Sequence, residues 1–367
     1  MIPPTSNIFK PLKVGNLTLS TRVVMAPMTR IRADEKHVVH DVHATYYSQR
    51  GSTPGTLVLS EATLANPSTG VMGNVPGIFT DEQVQGWRKV VDAVHAKGSF
   101  IFLQIAGLGR AAPAEAARNE TGGDVVGPGD IPMEGGATPR PMTLDEIKET
   151  VSHFAEAAKR FVKEAGGDGV ELHNANGYLL DQFLQTNSNN RTDEYGGSAE
   201  NRARFTLELV DAVSKAVGEE RTAIRLSPFS TFQGMKMPLP DIQETFSYLV
   251  DQLVKHHPSL AYLHCVEPRL RGYDIVEVPA EENLEFLQDA WSPRPFFRSG
   301  GYTDEDGPEL ADKYDNVAIV YGRAFLSNPD LVRRLKEGIP LTPCDHSTFY
   351  LPGPVFTKGY TDYPFAE

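Results

Sequence analysis

Within six residues the chain offers an imidazole, a carboxamide and a phenol: His173, Asn176 and Tyr178. They follow a short apolar run, Gly169-Val170-Glu171-Leu172, that reads as a strand. A neutral histidine and an asparagine can each donate a hydrogen bond to the same oxygen. A tyrosine ordinarily keeps its proton at pH 7 and can deliver it to a carbanion. Two donors aimed at an oxygen that gains negative charge, with an acid beside them, are what enolate chemistry requires. An isolated His-x-x-Asn more often ties down a loop, so this reading depends on what other segments bring to the same place.

The elements that must position these groups follow a repeating pattern. Eight short apolar runs, at 22–26, 56–61, 100–105, 168–172, 222–226, 260–266, 295–298 and 317–321, alternate with helical patterns. The runs are rich in Val, Ile, Leu and Phe without strict alternation, as expected of strands covered on both faces. Thr80-x-x-Gln83 and Thr143-x-x-Glu146 have the form of capping boxes that open helices. Further helices are expected over 41–50, 198–217, 241–255, 283–291, 309–314 and 328–337. The pattern predicts an α/β chain with one domain over 1–367, a (β/α)8 TIM barrel. A hairpin around Gly15-Asn16 is expected to cap the barrel bottom. The Gly- and Pro-rich stretch 111–142 reads as an elaborated loop after the third strand, of the kind that often shapes a site.

In such a barrel, function sits at the carboxyl ends of the strands. The residues at or just after those ends are Pro27 and Thr29, Ala62, Gln104, His173 and Asn176, Arg225, His264 and Cys265, Ser299-Gly300-Gly301, and Gly322-Arg323. The last two sets expose backbone N–H groups beside a guanidinium, a combination suited to phosphate, and phosphate sites after the last two strands are common in this architecture. Arg225 lies inside an apolar strand, where a lone charge is costly. Either an Asp or Glu partners it, or it faces an electron-rich ring such as the pyrimidine portion of a reduced flavin, with Thr29 and Gln104 completing the ring's hydrogen bonds. Gly107-Leu-Gly-Arg-Ala-Ala112 matches a dinucleotide fingerprint, but no second strand with its acidic residue follows, and the Rossmann reading is rejected. His37, His40 and His43 are read as a solvated junction opening a helix, and no metal site is expected.

The net charge of −13 and the scattered Lys and Arg speak against a nucleic-acid partner. With only Cys265 and Cys344, a disulfide framework is not expected. No leader pattern and no apolar run near ~18 residues is evident, so a cytoplasmic chain without a membrane partner is expected.

His173-Asn-Ala-Asn176-Gly-Tyr178-Leu-Leu-Asp-Gln-Phe183, followed by Asn190-Arg-Thr-Asp-Glu-Tyr-Gly-Gly197, resembles the Old Yellow Enzyme family of flavin-dependent ene-reductases. Met25-Ala-Pro-Met-Thr29-Arg30, Arg225-Leu-Ser-Pro228, Ser299-Gly-Gly-Tyr302 and Gly322-Arg323 add to the likeness, and the tail resembles the fungal and yeast-like branch. The resemblance implies a barrel that holds FMN noncovalently, with Pro27, Thr29, Ala62, Gln104 and Arg225 at the ring and Gly300, Gly301, Gly322 and Arg323 at the phosphate. It puts His173 and Asn176 on a substrate carbonyl, Tyr178 as proton donor, and Tyr350 and Met72 in the substrate pocket. The implied activity is NAD(P)H-dependent reduction of the C=C bond of α,β-unsaturated aldehydes, ketones and related activated alkenes, by a monomer or homodimer. A flavin-dependent isomerase or reductase of an alkaloid-type secondary pathway is the alternative. Where many relatives carry aromatic residues this chain has Ala106 and Met72, which implies a roomier pocket.

Overall fold

At Gly15 the backbone takes φ 53°, and the hairpin it turns joins Leu12–Val14 to Leu17–Leu19 in antiparallel register. A side chain at Gly15 would collide with the Glu220 carbonyl, so the turn packs directly on the loop that leads into the fifth barrel strand. Val14 and Leu19 join Val24, Leu57, Phe102, Ala223, Tyr262, Phe297 and Ala318 in one apolar cluster. The hairpin thereby plugs the amino-terminal mouth, as expected. In this computed structural model residues 2–272 and 274–367 are described.

Among the described residues eight parallel strands close on themselves: β1 Val23–Met25, β2 Leu57–Leu59, β3 Phe100–Ala106, β4 Gly169–Asn174, β5 Thr222–Leu226, β6 Leu263–Val266, β7 Phe296–Ser299 and β8 Val317–Tyr321. The pairing of β8 with β1 completes the ring. A short ninth segment, Thr63–Leu64, pairs beside the far end of β3. Helices Asp41–Arg50, Asp81–His95, Leu144–Lys159, Ala199–Val217, Leu239–His256, Glu285–Trp291, Asp306–Lys313 and Leu331–Glu337 alternate with the strands as the sequence pattern requires. Both capping boxes form: Thr80 Oγ1 accepts from Gln83 N at 3.3 Å while Gln83 Oε1 accepts from Thr80 N at 3.0 Å, and Thr143 with Glu146 repeats the exchange. No helix among the described residues is long and apolar enough to cross a membrane.

The inner face of the barrel changes character with height. Successive side chains of a strand point to opposite faces, and the register pairs Gln104 with Glu171, Arg225 with His173, and His264 with both Arg225 and Phe297. Phe102, Ala223, Tyr262 and Phe297 fill the lower interior, and the next inward positions are Gln104, Arg225, His264 and Ser299. A packed apolar floor thus carries a polar layer facing the carboxyl-terminal mouth.

Two expectations need correction. The 168–172 run extends to Asn174, so His173 lies within β4 rather than after it, because its inward side chain still leaves the backbone free to pair. Of the three histidines read as a solvated junction, His40 is exposed at the N-cap of the helix Asp41–Arg50, but His37 and His43 are not. His37 is buried between Val75 O and Glu120, at 2.6 and 2.8 Å, and His43 is fully buried, where desolvation lowers its pKa to about 3.

The C-terminal tail has few elements of its own and is held by three buried arginines. Arg30 donates to Gly359 O at 2.8 Å, Arg32 to Thr348 O at 2.9 Å and to Leu351 O, and Arg50 to Tyr360 O at 3.0 Å. Tyr360 stacks on Tyr46 at 3.9 Å. A guanidinium has five donors in a fixed fork, which suits it to gathering carbonyls from an irregular segment.

Candidate active site

A cavity of about 440 Å³ opens at the carboxyl-terminal mouth. Of the residues singled out in the sequence, Pro27, Thr29, Gln104, His173, Asn176, Tyr178, Arg225, Gly300, Gly301, Gly322, Arg323 and Tyr350 line it. Ala62 and Met72 do not: Ala62 is buried at the end of β2, and Met72 packs in an apolar cluster with Leu64, Leu108 and Val125 that Tyr178 also touches. The stretch 111–142 forms a helix, Ala114–Thr121, and a two-residue pairing of Val126–Gly127 with Arg140–Pro141. Contrary to expectation it contributes no lining residue, and its Ala117 and Val125 instead back the Tyr178 cluster from outside.

The turn after β4 sets the three leading side chains. Asn176 takes φ 57°, a left-handed conformation that asparagine tolerates better than most residues. Its backbone N–H donates to Ser227 Oγ at 2.6 Å. Gly177 follows at φ 75° and donates to Asp181 Oδ2 at 2.9 Å; a Cβ there would sit 2.8 Å from Gln233 Cβ and Met235 Cγ, so only glycine fits. Burial raises the Asp181 pKa to about 6. Tyr178 then caps the helix Leu179–Leu184. Its ring meets His173 edge-on, with centroids 4.8 Å apart. Burial, with the Arg225 charge beside it, pushes His173 well below the usual imidazole range and keeps the ring neutral. Its Nδ1 is buried without a hydrogen-bond partner among the described residues.

Beneath these groups runs a hydrogen-bonded chain. Gln104 Nε2 donates to Glu171 Oε1 at 2.7 Å, Glu171 Oε2 lies 2.8 Å from His264 Nδ1, and His264 Nε2 lies 2.9 Å from Ser299 Oγ. Glu171 is fully buried yet held below the ordinary carboxylate range: desolvation pulls upward, and His264, Arg225 and Gln104 together outweigh it. Desolvation lowers His264 in turn, despite Glu171 beside it. A neutral imidazole between a carboxylate and a hydroxyl carries its hydrogen on Nδ1 and accepts from Ser299 on Nε2. Arg225 is buried and feels Glu171, so the acidic-partner reading has a candidate, but its Nε finds no partner among the described residues and the residue lines the cavity. Both readings of Arg225 survive together. The Glu171–His264 pair was missed in the sequence, although Glu171 stands two before His173 on the same inward face.

At the ends of β7 and β8 the expected anion cradle is compact. Gly300 and Gly301 have φ of 146° and 71°, and a Cβ on Gly301 would lie 3.6 Å from Arg323 Nη2. The loops after the last two strands therefore meet. The outer rim adds Phe232 and Tyr350, 40% and 49% exposed, and the ribbon Leu270–Arg271 with Asp274–Ile275. Glu282 joins that ribbon to the loop after β5, accepting from Arg271 at 3.1 Å and from Lys236 at 2.6 Å. Glu61, also missed, is buried beside Ala62 with its pKa raised to about 7 by desolvation, and accepts from Arg30 N at 3.0 Å.

Three comparisons bear on this geometry. The NADH:flavin oxidoreductase / NADH oxidase family model matches residues 7–342. The chanoclavine-I aldehyde reductase fgaOx3 of Penicillium roqueforti is 45% identical over 367 residues, covering 98% of this chain and 97% of its own. An Old Yellow Enzyme from a Pichia species superposes with a TM-score of 0.89 at 38% identity, covering 99% of this chain and 94% of that one. Morphinone reductase in complex with tetrahydroNAD superposes with a TM-score of 0.88 at 39% identity, covering 98% of each chain. A closed barrel, a polar layer at its carboxyl-terminal mouth and a match along nearly its whole length agree: this chain belongs to the NADH:flavin oxidoreductase / NADH oxidase family, the family of Old Yellow Enzyme.

Proposed function

We propose that the protein is an FMN-containing, NAD(P)H-dependent ene-reductase acting on the C=C bond of α,β-unsaturated aldehydes, ketones and related activated alkenes. The observation that carries this reading is the meeting of His173, Asn176 and Tyr178 with Arg225, Gly301 and Arg323 around one cavity. The residues fit FMN. Arg225 offers a desolvated cation with an orphaned Nε for a ring that gains negative charge, and Gly300, Gly301 and Gly322 line the cavity beside Arg323, a combination of backbone amides and guanidinium suited to a phosphate. Thr29 and Gln104 supply polar contacts for the ring, and Pro27 and Ala62 stand at neighbouring strand ends.

FMN, when bound, would supply hydride-transfer chemistry between the nicotinamide and the alkene. The chain's own residues do the rest. Neutral His173 and Asn176 donate to the substrate carbonyl oxygen, where charge gathers as the β-carbon is reduced. Each such donor is worth roughly 3 kcal/mol of transition-state stabilisation. Tyr178 gives its proton to the α-carbon. Tyr350 and Phe232 line the outer side of the cavity and offer apolar surface to a substrate there.

The test is stoichiometric. One NAD(P)H consumed per saturated product, with protein that carries FMN, is the expected result; colourless protein that takes up no added FMN overturns the reading. The likeness to chanoclavine-I aldehyde reductase supports an aldehyde as substrate, and the second reading is a flavin-dependent isomerase or reductase of a secondary pathway. Isomer formation with only catalytic amounts of NAD(P)H would select the isomerase, and Tyr178 as proton donor speaks for net reduction.

A further inference from the structure

Five consecutive strands contribute to the layer under the cavity: Gln104 from β3, Glu171 from β4, Arg225 from β5, His264 from β6 and Ser299 from β7. An ionised carboxylate only accepts hydrogen bonds. Glu171 therefore takes the amide N–H of Gln104 at one oxygen and the Nδ1–H of His264 at the other, at 2.7 and 2.8 Å. Both neighbours have two orientations or tautomers available in isolation, and one charge settles both. Gln104, which lines the cavity, is left with its carbonyl oxygen for a ligand, an acceptor suited to a ring N–H. His264 is left with a lone pair toward Ser299 Oγ, which fixes that hydroxyl at the cavity wall. The same carboxylate offsets the Arg225 charge, so the layer is close to neutral while the guanidinium Nε stays unpartnered.

We propose that Glu171 is a positioning residue that orients Gln104, His264 and Ser299 toward the flavin and, by offsetting Arg225, sets how much more tightly the reduced flavin is held than the oxidised one. This inference rests on the FMN reading above. Glu171 touches no substrate and acts through its neighbours. With Gln at 171 the compensating charge is gone, Arg225 faces the ring as an uncompensated cation, and the reduced, more anionic flavin gains.

The experiment measures the midpoint potential of bound FMN and the affinity of the apoprotein for FMN in wild type, Glu171→Gln and Glu171→Asp, with a thermal melt of each apoprotein. The Gln variant is expected to raise the ratio of reduced to oxidised flavin binding at least tenfold, a shift of about 30 mV upward for a two-electron couple. The Asp variant keeps the charge and is expected to stay within threefold of wild type. A Gln variant within threefold of wild type, or equal shifts in both variants, overturns the inference while leaving the FMN reading intact. Failure of the wild-type protein to bind FMN overturns the FMN reading, and the inference with it. A measurement on wild type alone guards against variants that do not fold: ¹⁵N-histidine spectra of the apoprotein are expected to show His264 neutral and protonated on Nδ1, and protonation on Nε2 would contradict the proposal.

Discussion

In the proposed reaction His173, Asn176 and Tyr178 act on the alkene while Arg225 faces the flavin, so their removal is expected to have separable effects. Tyr178→Phe is expected to slow alkene reduction by roughly 10²- to 10⁴-fold, the usual worth of a general acid, while flavin reduction by NADPH stays near wild type in stopped-flow traces. Equal loss in both half-reactions would remove Tyr178 from the proton-donor role. Asn176→Ala is expected to cost about 10²- to 10³-fold in kcat on an enone, with the flavin spectrum retained. Because His173 is held neutral by burial and the Arg225 charge, kcat is expected to show no imidazole ionisation between pH 5.5 and 8, about the range in which an ordinary histidine titrates. That these residues share one cavity was legible from residue types and spacing. Glu171 and Glu61 were not, because a carboxylate among apolar residues looks the same whether it partners an arginine or breaks a strand.

At the level of elements, the strands and capping boxes were readable because their signals are local. The two-residue extension of β4 through His173 and Asn174 was not, since an apolar count stops where inward polar side chains begin. The role of 111–142 was misjudged for a related reason: composition marks an elaborated segment but not which way it folds, and this one packs outside the Tyr178 cluster. The helix Asp41–Arg50 carries a prediction of its own. His43 Nδ1 accepts from His40 N at 3.0 Å at the start of that helix, and burial lowers the His43 pKa to about 3. A folded-state value below the unfolded one means that the unfolded chain binds the proton first. Stability is therefore whole above the unfolded pKa near 6.5 and is lost as pH falls toward 3, by about 1.4 kcal/mol per pH unit. Relative to wild type, His43→Gln is expected to remove that component of the slope when urea denaturation is compared at pH 7, 6 and 5. Parallel curves for the two proteins would contradict the assignment.

Across the whole molecule the C-terminal tail and the barrel mouth are tied by charge rather than by apolar packing alone. Arg30, Arg32 and Arg50 gather backbone carbonyls of the tail, and the same tail supplies Phe349 and Tyr350 to the cavity. Desolvation lowers the Arg32 pKa to about 10, which leaves it charged at neutral pH. Arg32→Lys keeps the charge but loses the fork, and is expected to cost about 2 kcal/mol of stability and to raise KM for the alkene more than it changes kcat. The likeness to fgaOx3 covers 98% of the chain, but no short motif in the sequence announced that the arginines after the first strand and at the end of the helix Asp41–Arg50 belong with the last twenty residues. Their contacts span more than 300 positions.

The central claim is that strand-end groups far apart in the sequence form one flavin site that passes reducing equivalents to an activated alkene. An anaerobic visible spectrum tests it most directly. The account predicts that the purified protein shows the flavin bands, that one equivalent of NADPH or NADH bleaches them, and that one equivalent of an α,β-unsaturated ketone restores them with release of the saturated ketone. Protein that binds no FMN, or bleached flavin that an activated alkene leaves unchanged, would contradict it.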